Sequence, residues 1–391
     1  MNNMMEPKIR FKGFEGEWKA EELAHVCSVN RGVRVTRNDL HNNGIYPVYQ
    51  NTDYPMGYYT KFNVLSNNPF VIVGGSAGLI GFCHTNFWAA DDCVYFGDNP
   101  IINKSFLYNN LVFHKTEIKR NVRGASVPRL DRETLRKLPI SMPSLLEQQA
   151  IASYFTSLDS QISAATSRLA SLKQMKAASL QAMFPQEGET VPKIRFKGFE
   201  GEWKKVKLGD IAKFSKGQGY SKSDLKETGH PIILYGRMYT KYQFAIDEVD
   251  TFANLKDASI LSEGNEIIMP ASGETPEDIA CASAVLAKDI ILGGDLNIMH
   301  FDLTKFSTPY IALVITYSKT HQDLSKCAQG KSVVHLHNGA ISKAIISLPS
   351  LAEQQAIASY FTSLDHQISL QSQRLEKLKQ IKSACLDKMF V

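Results

Sequence analysis

The side chains in this sequence best equipped for chemistry are hydrogen-bond donors gathered around glycine-containing loops. In the first half, Arg31, Arg34 and Arg37 fall in the stretch NRGVRVTRN, Ser76 in GGSAG, and Arg120, Arg123 and Arg129 around Gly124-Ala125-Ser126-Val127. In the second half, Lys213, Lys216, Gln218 and Tyr220 fall in KFSKGQGYSK, followed by Arg237, Ser272, Lys331, His335 and His337. Such groups donate to phosphate oxygens and to base edges. The chemistry expected of them is polar recognition of a nucleic acid.

Motifs for bond-making chemistry fail on inspection. Asn68-Pro69-Phe70 approaches the Asn/Asp-Pro-Pro-aromatic motif of amino-methyltransferases but lacks the second proline. Gly330-Lys331-Ser332 imitates the end of a phosphate-binding loop, yet Ser325 stands where that loop needs glycine. Gly75-Ser76-Ala77-Gly78-Leu79-Ile80-Gly81 has no acidic residue about 20 positions on to complete a dinucleotide site, and reads as a tight turn. His335 and His337 with Cys327, or Cys83 and His84 with Cys93, lack zinc spacing. No catalytic residue and no metal ligand is expected.

The 391 residues, with 43% hydrophobic and 21% charged, describe a globular chain of more than one domain. A net charge of +5 permits a nucleic-acid partner without demanding one. No apolar run reaches the roughly 18 to 20 residues of a bilayer span, and Met1 to Glu6 lacks a signal-peptide profile, so a cytoplasmic protein with no membrane partner is expected. The six cysteines form no disulfide framework and read as reduced, structural thiols.

Internal repetition organises everything else. Pro7 to Lys19, PKIRFKGFEGEWK, returns unchanged at Pro192 to Lys204, and Pro143 to Phe184 matches Pro349 to Phe390 at 29 of 42 positions. Between these frames lie two unlike inserts, 123 residues over 20–142 and 144 residues over 205–348. The inserts share little beyond the patch Gly124-Ala125-Ser126-Val127 with Leu130, against Gly330-Lys331-Ser332-Val333 with Leu336. They carry strand-like runs at Phe70 to Val73, Cys93 to Phe96, Glu266 to Met269 and Ile290 to Leu292, which points to mixed α and β domains.

Each repeated C-terminal segment reads as a long helix, free of Gly and Pro from Ser144 to Phe184 and opened by a capping box, Ser144 with Glu147 and Ser350 with Glu353. A heptad seam runs through Ile151, Phe155, Leu158, Ile162, Leu169 and Leu172, and through Ile357, Phe361, Leu364, Ile368, Leu375 and Leu378. Arg168, Lys173, Arg374, Lys377 and Lys379 fall on the face turned from it. A helix of about 40 residues is ~60 Å long, whereas Pro185 to Val191 reaches at most about 25 Å. The second insert must therefore start at the far end of the first helix, and the second helix must run back along it. The expectation is an antiparallel coiled coil with pseudo-twofold symmetry, a domain at each end, and Val391 returning close to Pro7.

Two unlike domains, each followed by a helix opened by Pro-Ser-Leu-x-Glu-Gln (Pro143 to Gln148, Pro349 to Gln354) and each preceded by Arg-Phe-x-Gly-Phe-x-Gly-x-Trp (Arg10 to Trp18, Arg195 to Trp203), resemble the specificity subunit of type I restriction-modification enzymes across essentially the whole chain. That family more often opens the helix with Pro-Pro-Leu; here Ser144 and Ser350 replace the second proline. The resemblance implies an α+β fold with two mixed α/β target recognition domains separated by two long helices. It divides the chain into a first domain 1–143, first spacer helix 144–184, linker 185–191, second domain 192–348 and second spacer helix 349–391. It implies that each domain reads one half of a bipartite double-stranded DNA target. The coiled coil would set the spacing and dock two methyltransferase subunits, alongside restriction/translocase subunits. No cofactor is expected on this chain; S-adenosylmethionine, Mg and ATP would be bound by the partners. Read without the resemblance, the same layout also suits a non-catalytic scaffold that holds two protein-binding domains apart.

Overall fold

The computed structural model describes residues 6–40, 43–330 and 333–391. The chain is mixed α+β and divides into two compact units, 1–167 with 372–391, and 168–371. The two long helices are Leu145–Ala182 and Leu351–Met389, so each helix contributes one part to each unit.

In the first unit, an antiparallel sheet runs in the order Val29–Arg31, Cys93–Phe96, Asn68–Ile72, Ile80–Cys83. The central strand, Asn-Pro-Phe-Val-Ile, is buried throughout. A smaller sheet places Tyr46–Tyr49 between Gly57–Tyr59 and Trp88–Ala89. The two ends of the insert are tied by Lys19–Glu22 pairing antiparallel with Pro139–Met142.

The second unit repeats that tie with Lys204–Lys207 on Ile345–Leu348 and builds two five-stranded sheets. One runs Ala212–Lys216, Leu296–Phe301, Glu266–Pro270, Ser283–Val285, Ala245–Ile246. The other runs Leu225–Lys226, Phe252–Ala253, His230–Ile233, Lys288–Leu292, Leu261–Glu263. The four strand-like runs seen in the sequence all lie in strands, each extended or trimmed by one or two residues at most.

Each core is closed by helix ends from both copies. In the first unit Trp18 packs edge-on to Phe106 and Phe390, with ring centroids 6.2 and 6.4 Å apart, and Phe155 lies 6.0 Å from Phe390. In the second, Trp203 meets Tyr310 at 6.0 Å, and Phe184 meets Tyr310 and Phe361 at 6.1 and 6.2 Å. Burying aromatic rings in this way is the largest apolar contribution a few residues can make. The helix segments within each unit run antiparallel. In the first, Tyr154 Oη meets Cys385 Sγ at 3.4 Å and Lys382 Nζ meets Asp159 at 2.5 Å; in the second, Ser179 Oγ meets Tyr360 Oη at 2.8 Å and Lys176 Nζ meets Asp365 at 2.6 Å. Every seam position named above is buried or half-buried, and Arg168, Lys173, Arg374, Lys377 and Lys379 are exposed. Val391 lies beside the first unit's frame: its carbonyl accepts from Ser141 Oγ at 2.6 Å, while Ile9 N donates to Lys388 O at 3.0 Å.

The helix starts correct one expectation. Ser144 Oγ does accept from Glu147 N, and Ser350 Oγ from Glu353 N, each at 3.3 Å. The glutamates do not complete the box by reaching back to the cap. Glu147 instead takes a two-bond contact from Arg10 at 2.7 and 2.8 Å, and Glu353 one from Arg195 at 2.6 and 2.7 Å. A bidentate, charge-assisted pair is stronger than one bond to a backbone amide, so the arginine wins. The same guanidinium holds Gly16 O and Glu15 O, or Gly201 O and Glu200 O, which locks the PKIRFKGFEGEW loop onto the helix.

Candidate nucleic-acid interface

The two inserts, nearly unrelated in sequence, fold their loops onto the same local plan. After the first strand of its sheet each has a capped 3-10 turn: Thr36 N and Oγ1 bond Asp39 at 2.8 and 2.6 Å, and Ser221 N and Oγ bond Asp224 at 2.8 and 3.1 Å. After the central strand each pairs with the segment that follows the shared glycine patch: Gly74 bridges Arg129, and Ser272 pairs with His335. That segment is itself a tight loop, closed by Arg123 on Arg129 in one unit and Gln329 on His335 in the other. Gly124 and Gly330 have φ of 91° and 138°, and a Cβ on either would press on the carbonyl three residues on, at 2.7 and 1.9 Å, so this turn requires glycine.

In the first unit, Arg34 and Arg37 line a polar cleft of about 260 Å³ with Thr36, Gln50 and Asn51. Ser76 adjoins it, because Ser76 N donates to Asn51 O at 3.1 Å, and Gly75 N reaches Pro128 O at 3.1 Å, next to Arg129. Arg31 is tied through Nε to Asp91 O at 2.8 Å, and Arg129 through Nη1 to Asp92 at 3.0 Å. Arg123 spends Nη1 on Arg120 O at 2.7 Å. Arg120, at the end of the helix Lys115–Arg120, does not line the cleft. All seven sequence-predicted side chains are exposed.

The second unit holds a larger cleft of about 1100 Å³ at the matching place, lined by Tyr220, Lys222, Asp224, Tyr235, Arg237, Tyr239, Lys241, Ser272, Glu274 and Asp295 among others. Three predicted residues line it, and most of their polar atoms are already engaged; the exception is Arg237 Nε, buried without a hydrogen-bond partner among the described residues. Tyr220 is buried, its hydroxyl bonded to Asn254 O at 3.1 Å and Ser259 Oγ at 2.5 Å, with Lys256 Nζ 4.3 Å above its ring. Arg237 gives Nη1 to Asp250 at 2.5 Å and Nη2 to Gln243 at 3.1 Å. Ser272 Oγ donates to Asp295 at 3.2 Å. These three shape the wall; the exposed donor-bearing residues that line it are Ser221, Lys222, Tyr235, Thr240 and Lys241, of which Lys241 is already bonded to Asp250. His335 and His337 are exposed on the adjoining loop, their rings parallel at 6.2 Å. Lys213, Lys216 and Gln218 are exposed but do not line the cleft. Lys331 lies outside the described residues.

Acidic groups line the second cleft, and reasoning from donors alone missed them. The ammonium of Lys241, then the guanidinium of Arg237, holds the Asp250 carboxyl well below the usual range. Lys256 at 2.7 Å, with the Ser221 amide and hydroxyl, lowers Asp224 to about 2. Asp92 and Asp295 had a signal in the sequence: each directly precedes a strand, Cys93–Phe96 or Leu296–Phe301. A cleft walled by fixed acids and open to donors discriminates among hydrogen-bonding partners, because a misplaced donor or acceptor leaves a desolvated group unpaired.

The family model described as type I restriction modification DNA specificity domain matches residues 15–174 and again 200–380. The chain is 20% identical over 394 residues to the MjaVIII specificity subunit of a type I restriction enzyme from Methanocaldococcus jannaschii, covering 95% of this chain and 91% of that one. It is 24% identical over 182 residues to the EcoDI specificity subunit from Escherichia coli, covering 46% of this chain and 40% of that one. In fold it is similar to the crystal structure of a type I restriction-modification S subunit from Mycoplasma genitalium, with a TM-score of 0.70, 17% identity, and 99% of each chain covered.

Proposed function

The chain belongs to the family of type I restriction modification DNA specificity domains, and from that premise we propose how its parts divide the work. Each insert reads one half of a bipartite duplex target, and the two long helices set the number of unspecified base pairs between the halves. The observation that carries this reading is the pairing of closely repeated frames with unlike inserts that bear matched clefts: the frames are largely kept while the polar linings differ. A surface closely repeated in two copies suits a partner that meets it twice, which supports the docking of two methyltransferase subunits on the frames. Methylation and cleavage, with S-adenosylmethionine, Mg and ATP, then belong to partner subunits, and this chain supplies recognition in the cytoplasm. Among the described residues no helix is long and apolar enough to cross a membrane.

The test exchanges residues 20–142 for the equivalent insert of a relative and maps the methylated adenines in the host. One half of the target should change and the other should stay. A target altered in both halves would overturn the modular reading. A chain whose duplex affinity did not fall steeply with salt would overturn DNA recognition itself, because counterion release is unavoidable when phosphates are neutralised.

A further inference from the structure

Asp92 and Asp295 occupy one structural position. The carbonyl of each accepts from the residue leaving the central strand, Val73 N at 2.8 Å and Ala271 N at 2.7 Å. Beyond that shared backbone bond the two units diverge. In the first, the basic residue at the facing position is Arg129, whose Nη1 donates to Asp92 Oδ1 at 3.0 Å. In the second it is His335, and Asp295 takes the Ser272 hydroxyl instead.

We propose that Arg129, aimed by Asp92, reads a guanine in the half-site bound by the first unit. This rests on the DNA-reading function proposed above. Asp92 is the positioning residue: its carboxylate is 19% exposed, whereas the Arg129 side chain is 61% exposed. The carboxylate fills the room left by Gly74, where a Cβ would lie 2.4 Å from Oδ1. The Arg129 backbone is fixed as well, by reciprocal bonds with Arg123 at 2.7 and 2.8 Å. With Nη1 engaged, the edge formed by Nε and Nη2 has no hydrogen-bond partner among the described residues. Two parallel donors match the O6 and N7 acceptors that guanine presents in the major groove; adenine presents a donor beside N7, which such an edge rejects. A phosphate is the poorer partner, because Asp92 would stand beside it with the same sign of charge. The second unit presents no arginine at this position and so reads a different base there, as unlike half-sites require.

The experiment selects duplexes from a random-sequence DNA pool with the full-length chain and with Arg129→Ala, Arg129→Lys and Asp92→Asn. The parent should select a G·C pair at one position of one half-site. Arg129→Ala and Arg129→Lys should leave that position unspecified while the rest of the motif stays, and Asp92→Asn should loosen it in part. Replacing that guanine by 7-deazaguanine, which removes N7 and keeps O6, should weaken the parent by part of the roughly 5- to 150-fold that a whole bidentate contact carries. It should leave Arg129→Ala unaffected. Arg129→Ala with the motif intact overturns the inference, whether affinity is unchanged or falls for all sequences alike with the salt slope lowered by about one, the mark of a phosphate contact. If the parent selects no sequence at all, the DNA-reading proposal fails and this inference falls with it.

Discussion

Lys382 and Asp159, 223 positions apart, meet at 2.5 Å across the antiparallel helix segments of the first unit, and Lys176 meets Asp365 at 2.6 Å in the second. The two pairs come from matching positions of the repeat, so they mark one register made twice. They are half-exposed and hold little energy compared with the rings beneath them. Replacing Lys382 with alanine should cost at most about 1 kcal/mol. Phe390→Ala, which empties the space between Trp18, Phe106 and Phe155, should cost about 3 to 5 kcal/mol. Urea denaturation of the two variants measures both, and equal losses would mean that the ion pair, not the rings, holds the helix end.

The Arg10–Glu147 clamp makes a sharper prediction. Glu147 is 2% exposed, so Arg10→Ala leaves a buried carboxylate without its counter-charge and should destabilise by about 3 to 5 kcal/mol. A double variant, Arg10→Leu with Glu147→Leu, should recover most of that loss, because no charge remains to be desolvated. Thermal unfolding checks the order; a double variant no better than Arg10→Ala would show that the guanidinium bonds to Gly16 and Glu15 carry the stability instead.

Thiol chemistry should separate the cysteines. Burial pushes the Cys27 thiol up to about 11, against a small lowering effect of Lys104, and Cys281 up to about 12, whereas Cys327 is exposed. The thiolate is the reacting form, so maleimide at pH 8 should label Cys327 first and spare Cys27 and Cys281 until the chain unfolds. A folded value above the unfolded one, ~8.5, means stability that is fully present below that pH and lost as pH rises toward about 11. Mass spectrometry of labelled peptides with time, and melting between pH 8 and 11, test the two halves of this prediction.

Helix length should convert to target spacing. Extending the register of Lys176–Asp365 and Ser179–Tyr360 places Gln371 opposite Leu169. Four residues inserted after Leu169 alone add ~6 Å and leave a stutter that breaks the seam. Four residues inserted after both Leu169 and Gln371 should restore pairing and widen the gap between half-sites by about two base pairs at most. The methylated motif reports this directly: the half-sites stay and the unspecified interval grows. A doubly lengthened, folded protein with the parent interval would show that the bound partners, not these helices, set the spacing.

Much of this molecule was legible before any fold was known, for a physical reason. The long helices announce themselves through an unbroken stretch without Gly or Pro, an N-cap serine and a 4-3 apolar rhythm, all of which are local. Exact repetition and the short reach of Pro185 to Val191 then set their direction by chain length alone. Only tertiary structure decided how polar atoms are spent. Nothing local shows that Glu147 turns to Arg10 and not to its own cap, that the Tyr220 hydroxyl and the Arg237 fork are engaged within their own unit, or that Asp92 and Asp295 share a position. Those outcomes depend on which segments, scores of residues apart in the chain, come within about 3 Å of each other. Hydrogen-bond partners are chosen at that distance, and a sequence pattern carries periodicity along the chain but no measure of distance across it.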